Sequence, residues 1–201
     1  TSDHGEELDE HDLWFDHHGL YDTNLHVPLI LYHRDLPSGL RLTDWARHLD
    51  VSPTILDLAG LADAPEAAGM GGVSLVPWIT GNRRGDVAPA LYCTESTWTR
   101  RWCVKTRQWH YIESAEPDPF GKPDRELYDL IIDPGQYKNL ADRRPDVVRN
   151  MHDRLWAHIE ARRAATGNPD PVETSRITMR QVGDVNVAVP DDQILELTGD
   201  L

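Results

Sequence analysis

Val27-Pro28-Leu29-Ile30-Leu31-Tyr32 is the longest uninterrupted apolar run in the chain. It is short, continuous and closed at both ends by histidine, the pattern of a strand buried on both faces of a sheet. Such strands belong to parallel or mixed sheets covered by helices, so an α/β fold is expected. Beyond the run, residues 44–60 carry Trp45, Leu49, Ile55, Leu56 and Ala59. Ser52 as N-cap, Pro53 at the first helical position and Gly60 as the stop predict a helix over at least Ser52 to Leu58. Residues 61–85 are rich in Gly, Ala and Pro, which predicts a surface loop with a short turn around Leu75-Val76-Pro77-Trp78.

From Ala88 the pattern changes to four short β-prone runs, residues 90–93, 102–105, 108–112 and 126–130, separated by turn clusters. This spacing predicts an antiparallel meander. Pro145 to Ala165 reads as one amphipathic helix with Val148, Met151, Leu155 and Ile159 on a stripe, packed on that sheet. The arginines from Arg143 to Arg163 fall on its exposed face. Residues 166–201 hold a weak strand signal at Asn186 to Val189 and are expected to form an extended arm. The expected organisation is therefore residues 1–87 in an α/β domain, 88–165 in a sheet-plus-helix subdomain, and the arm.

The chain has 201 residues, 20 Lys and Arg against 34 Asp and Glu, a formal net charge of −14. That excess has the wrong sign for nucleic acid, whose phosphates are bound by clustered cations. A composition 39% hydrophobic and 27% charged suits a globular protein. No run of about 18 apolar residues exists, so no membrane-spanning segment is expected. Cys93 and Cys103 are too few for a disulfide scaffold and lack C-x-x-C spacing, so they read as free thiols, with one hairpin disulfide as the alternative. The opening at Thr1, without Met or an apolar leader, is expected to lie inside a longer translation product, and the compartment is left open.

Chemistry is concentrated at the start, where the first 48 residues hold seven of the ten histidines and the first 22 hold eight carboxylates. Asp3-His4-Gly5 offers an anionic oxygen and an imidazole from adjacent residues, which on a regular strand would point to opposite faces. Gly5 allows the bend that would bring them together at the carboxyl end of a strand, where open α/β sheets place their ligands. A divalent cation is the natural object of that convergence, with calcium, magnesium, manganese and zinc all compatible with mixed oxygen and nitrogen donors.

Thr1-Ser2-Asp3-His4-Gly5-Glu6, then Glu10-His11, then Leu20-Tyr21-Asp22 running into His26-Val27-Pro28-Leu29-Ile30, resemble the sulfatase family of the alkaline-phosphatase superfamily. His48 to Gly60, Gly72-Val73-Ser74-Leu75, Lys105 to Ile112, and Glu126-Leu127-Tyr128-Asp129-Leu130 with Asp133-Pro134 and Asn139-Leu140-Ala141 follow in the family's order. The resemblance covers about residues 1 to 160. It implies part of an alkaline-phosphatase-like mixed sheet flanked by helices, followed by the small antiparallel sheet and its helix. It also implies a metal-dependent hydrolase of sulfate esters, in which Asp3 and His4 look like half of a metal site, calcium being the favoured ion.

The family's formylglycine nucleophile arises from Cys or Ser in C-x-P-x-R or S-x-P-x-R, and neither occurs here. Cys93 is followed by Thr-Glu-Ser and Cys103 by Val-Lys-Thr. The resemblance is thus to the carboxyl-terminal portion of such an enzyme, whose missing amino-terminal half would be its partner alongside a sulfate-ester substrate.

By the same resemblance, His17 lies where many sulfatases carry a lysine that touches the sulfate, with His18 the neighbouring candidate. An imidazolium could supply that charge or protonate the leaving oxygen. His11 either lines the pocket or fixes the loop near Trp14. His110 falls where the family often has a substrate-facing lysine, although Trp109-His110-Tyr111 also suits cross-strand packing. His26, His33 and His48 read as structural, and the acidic run Glu6, Glu7, Asp9, Glu10, Asp12 and Asp16 as a solvated loop. Two alternatives share this scaffold: a phosphonate monoester or phosphodiester hydrolase, and a non-catalytic module completing a site on another chain.

Overall fold

A computed structural model describes residues 1–13, 17–64, 69–177, 179–182 and 185–188. Trp14 and Asp16, and the arm beyond residue 188, lie outside the described residues. The chain divides into two compact units, one formed by Thr1–Pro28 with the residues from Tyr92 onward, the other by Leu29–Leu91.

In the first unit the meander is present as β1 (Leu91–Glu95), β2 (Arg101–Lys105), β3 (Trp109–Ser114) and β4 (Arg125–Asp129), in that spatial order. Register is set by the antiparallel pairs Cys103↔Ile112 and Ile112↔Glu126. All five residues of β2 are buried, because both sheet faces are covered. Strand parity separates them. One face, with Trp102, Tyr111 and Glu113, meets α4 (Pro145–Thr166), where Trp102 and Trp156 lie 5.5 Å apart and His152 reaches Glu113 at 2.7 Å. Val148, Met151, Leu155 and Ile159 are the buried stripe of α4, as their spacing predicts. Gly167, at φ 70°, closes the helix in the left-handed conformation.

The opposite face carries Arg101, Cys103, Lys105, His110, Ile112, Glu126 and Tyr128. Leu13, Leu20 and Tyr21 pack on Cys103, Ile112 and Tyr128 to form its apolar part. Both cysteines are free thiols. Beyond α4 come α5 (Pro171–Thr174), capped by the Asp170 side chain, and an antiparallel pair β5 (Met179–Val182) and β6 (Val185–Ala188), the latter covering most of the weak strand signal.

In the second unit, α2 (Val51–Leu58) includes the predicted helix, but its cap differs. Ser52 lies inside the helix and Asp50 stands at the N-cap without a side-chain capping bond, because the Asp50 carboxylate is taken by Arg47 and by the Val73 N–H at 2.9 Å. The short turn is α3 (Val76–Ile79). The expected strand at Val27 to Tyr32 is corrected: it joins no ladder among the described residues. Its exposure alternates, with Ile30 82% and Tyr32 97% exposed. A strand needs neighbours to satisfy its N–H and C=O groups, and the described residues supply none here.

Candidate metal and sulfate-ester site

Gly5 holds the opening segment against α1 (Asp22–Leu25). Its N–H bonds Asn24 O at 2.9 Å, and a Cβ there would sit 1.8 Å from Thr23 O. This close approach of two backbones is one that only glycine permits. His4 follows from that packing. Its Nδ1 lies 2.7 Å from Gly5 O, and a carbonyl can only accept, so Nδ1 carries a proton and Nε2 is the ring nitrogen left to meet a ligand. A second ring contact to a backbone carbonyl is the arrangement that orients metal-binding histidines.

His4 stacks on His17, ring centroids 4.2 Å apart and planes 22° apart. Ligand atoms of His4, Glu6 and His17 all lie within 4.8 Å of one another. Glu6, assigned to the solvated run by sequence, belongs to this cluster, and its only signal was a position two residues beyond His4. The Asp3 side chain is 86% exposed, with one oxygen 3.6 Å from His4 Nε2. Backbone N–H groups of Asp3 and His4, with the neighbouring imidazole, hold its carboxyl below the usual range.

The tandem histidines part company. His17 faces His4, whereas His18 is 7% exposed and packs between Trp98 and Phe120, at 5.3 and 4.6 Å. The loop that carries them is tied down at Gly19, φ 96°, whose N–H bonds Glu95 Oε2 at 3.0 Å. Burial pushes the Glu95 carboxyl up to about 7, against the bond from Gly19.

His11 lies in a 3-10 turn (Glu10–Asp12) whose backbone is left-handed at Asp9, His11 and Asp12. Such conformations persist only where the surroundings enforce them. His11 Nδ1 contacts Glu7 Oε2 at 3.1 Å and Nε2 contacts Gly135 O at 3.0 Å. Both partners are acceptors, so both ring nitrogens donate and the ring is an imidazolium. Burial works against that charge, and the bond to Glu7 and its negative charge outweigh it, raising the His11 pKa. Tyr21 stacks on one face at 3.8 Å and Tyr137 on the other at 5.4 Å. A cleft of about 320 Å³ opens beside it, lined also by Lys122 and Asn139. His11 thus fixes the loop and lines a cleft at once.

Deeper on the same face, Lys105 Nζ bonds both oxygens of Asp22, at 2.5 and 2.6 Å. His110 is fully buried beside them, its Nδ1 4.0 Å from Asp22 Oδ1 and in contact with the Gln136 amide nitrogen. Burial pushes its pKa down to about 3. Arg101 and Glu126 pair in the interior, and the Tyr21 and Tyr128 hydroxyls both donate to Glu126. Sequence reasoning missed Gln136, Glu95 and Asp22, because each acts through a contact more than 20 residues away in sequence. His33 Nδ1 lies 3.7 Å from Asp35 Oδ2, in the second unit.

A family model described as N-sulphoglucosamine sulphohydrolase, C-terminal, matches residues 9–163. The choline-sulfatase of Rhizobium meliloti (strain 1021) is 34% identical over 141 residues, covering 70% of this chain and 26% of that protein. Arylsulfatase K of Mus musculus is 27% identical over 170 residues, covering 77% and 28%. The chain therefore spans little more than a quarter of the length of these relatives. A solved 2-O GAG sulfatase superposes with a TM-score of 0.65 at 24% identity, over 84% of this chain and 38% of that one, a likeness of fold.

Proposed function

The chain belongs to the N-sulphoglucosamine sulphohydrolase C-terminal family, and on that premise we propose that it supplies part of a sulfatase site that hydrolyses sulfate esters with a divalent metal. The observation that carries this reading is the meeting of His4, Glu6 and His17 beside Asp3. Asp3 and His4 would hold the cation, with Glu6 as a further oxygen donor. Mixed carboxylate and imidazole donors suit manganese or zinc, and calcium to the extent that Asp3 and Glu6 dominate. Such a cation would stabilise negative charge on the ester oxygens.

His17, exposed beside His4, is the group assigned to the sulfate, where its imidazolium would offset charge or protonate the leaving oxygen. His18 would act as a wall of the same loop, its packing between Trp98 and Phe120 fixing where His17 points. His11, held as an imidazolium beside the cleft, would meet an anionic substrate, and His110 would offer a neutral polar contact. Neither cysteine is a nucleophile: Cys103 is fully buried, and neither stands in the required motif. The nucleophile and remaining ligands therefore belong to a segment other than these residues.

The test is sulfate-ester hydrolysis by this chain joined to the nucleophile-bearing segment. Asp3→Ala should abolish metal-dependent turnover, and His33→Ala should leave most of it; equal losses would reject the assignment. The 201 residues alone should turn over no aryl sulfate.

A further inference from the structure

We infer that Asn24 is a positioning residue that sets His17 against His4, its backbone oxygen holding the segment beside one ring and its side-chain amide holding the loop beside the other. The consequence for catalysis rests on the sulfate-ester reading above, whereas the structural half stands on hydrogen-bond geometry. Gly5, next to His4, donates its N–H to Asn24 O at 2.9 Å. His18, next to His17, accepts at its backbone oxygen from Asn24 Nδ2 at 2.7 Å, and Gly19 O lies 3.2 Å from the same nitrogen. One residue of α1 is therefore a single hydrogen bond away from the neighbour of each ring.

The partners fix how the amide lies. Both carbonyls can only accept, so the NH2 group faces them; turned over, the amide would set oxygen against oxygen twice. Oδ1 is then directed away, buried and without a partner among the described residues. An unpaired interior acceptor is unfavourable, and it accompanies the one orientation that bonds the loop twice. Asn24 is 5% exposed, so these bonds are shielded from water. They matter because the chain turns just beyond His17, at Gly19 with φ 96°, where the backbone has the freedom of glycine. Glu95 holds the N–H of that glycine at 3.0 Å and Asn24 holds its carbonyl side. The two arms of Asn24 can also be separated by substitution, since the bond to Gly5 uses the backbone and the bonds to the loop use the side chain alone. A ring that offsets charge or protonates a leaving oxygen works only within hydrogen-bond reach, so slack in this loop is paid in rate.

The experiment is NMR of the ring protons in wild type and Asn24→Leu, a side chain of similar shape with no donor. Zn²⁺ titration of both chains accompanies it, with hydrolysis of a sulfate monoester by the same chains joined to the nucleophile-bearing segment. Wild type should show a nuclear Overhauser contact between the His4 and His17 rings. Asn24→Leu should lose that contact while His4 keeps its Nδ1 proton. Zn²⁺ affinity should fall no further than in His17→Ala, because the backbone arm still holds Gly5, and kcat should fall about tenfold or more with KM changed less. A ring contact that survives in folded Asn24→Leu, or is missing from wild type, would overturn the inference. So would a Zn²⁺ loss as deep as that of His4→Ala, since the two arms would then not be separate. A lost ring contact with unchanged kcat would overturn the catalytic consequence. Should Asn24→Leu not fold, Asn24→Ser, with one short donor in place of two, should lose the ring contact as well; a retained contact there also overturns the inference. If wild type hydrolyses no sulfate ester, the sulfatase reading fails while the ring contact still decides the positioning role.

Discussion

His4 and His17, thirteen positions apart, lie ring against ring at 4.2 Å. Stacking leaves both imidazoles facing the same exposed side, with Glu6 close enough to share one ion. Removal of the His4 ring should therefore weaken Zn²⁺ or Mn²⁺ binding by tenfold or more, and removal of the His17 ring, assigned to the sulfate, should weaken it less. Calorimetric titration of His4→Ala and His17→Ala checks this, with His33→Ala as the unaffected control. Equal losses from both would place His17 among the ion's ligands and reject its assignment to the sulfate.

Gly5 carries the second expectation. A methyl group there would meet Thr23 O at 1.8 Å, so Gly5→Ala forces the opening segment away from α1. It also costs the Gly5 N–H to Asn24 O bond. The expected loss is about 2–3 kcal/mol in urea unfolding, with metal affinity falling in parallel because His4 moves with the backbone. Alanine tolerated without loss would mean the two backbones are not in contact.

Opposing pH dependences come from two buried groups. The folded His110 pKa, about 3 against 6.5, means the native state binds fewer protons between those values, so its contribution is present above pH 6.5 and is lost as pH falls toward 3. Glu95 does the reverse. Its folded pKa of about 7 against 4.5 makes the native state the better proton binder, so stability is lost as pH rises from 4.5 through 7. The two slopes oppose each other between pH 4.5 and 6.5, and wild-type stability should change little there. Glu95→Gln, which keeps an acceptor for the Gly19 N–H, should expose the His110 slope as stability that rises with pH over this interval. Melting temperatures at half-unit pH steps decide it.

Most of the fold was legible because it rests on local periodicity. The α4 stripe, the four meander runs and Gly167 each announce themselves within a few residues. The Val27 to Tyr32 run misled because apolar continuity reports a strand's affinity for a sheet, not the presence of the neighbouring strands, and its Ile30 and Tyr32 are exposed. Ser52 misled as a cap because Asp50 takes the N-cap position, its carboxylate drawn away from the helix by Arg47 and by the backbone N–H of the distant Val73. In the candidate site, motif and resemblance were enough to name Asp3, His4 and His17 as candidates. They could not name Gln136, since its contacts exist only where the turn after β4 meets both α1 and β3. His18 shows the limit of adjacency: two neighbouring imidazoles were candidates for one role, and one of them is packed among aromatic rings.

The Arg101 and Glu126 pair makes the final expectation. Both side chains are 2% exposed, and Glu126 also accepts from Tyr21 and Tyr128 while Arg101 donates to Pro123 O at 3.1 Å and to Ser114 Oγ at 2.8 Å. Removing one partner leaves a buried charge uncompensated, which costs about 3–5 kcal/mol. Glu126→Leu should therefore be more damaging than a cavity of its size would explain, since it strands two hydroxyls and leaves the guanidinium only the longer pairing with buried Asp118, at 3.9 Å. Removing both charges, Arg101→Met with Glu126→Leu, should recover part of that loss, because the desolvation cost of each ion disappears with it, offset by the loss of the cation that faces buried Asp118 at 3.9 Å. A double-mutant cycle in guanidinium chloride measures the coupling directly. Additive losses would show that the charges are solvated in the folded protein, and that the face of the sheet carrying His110 and Lys105 is open to water.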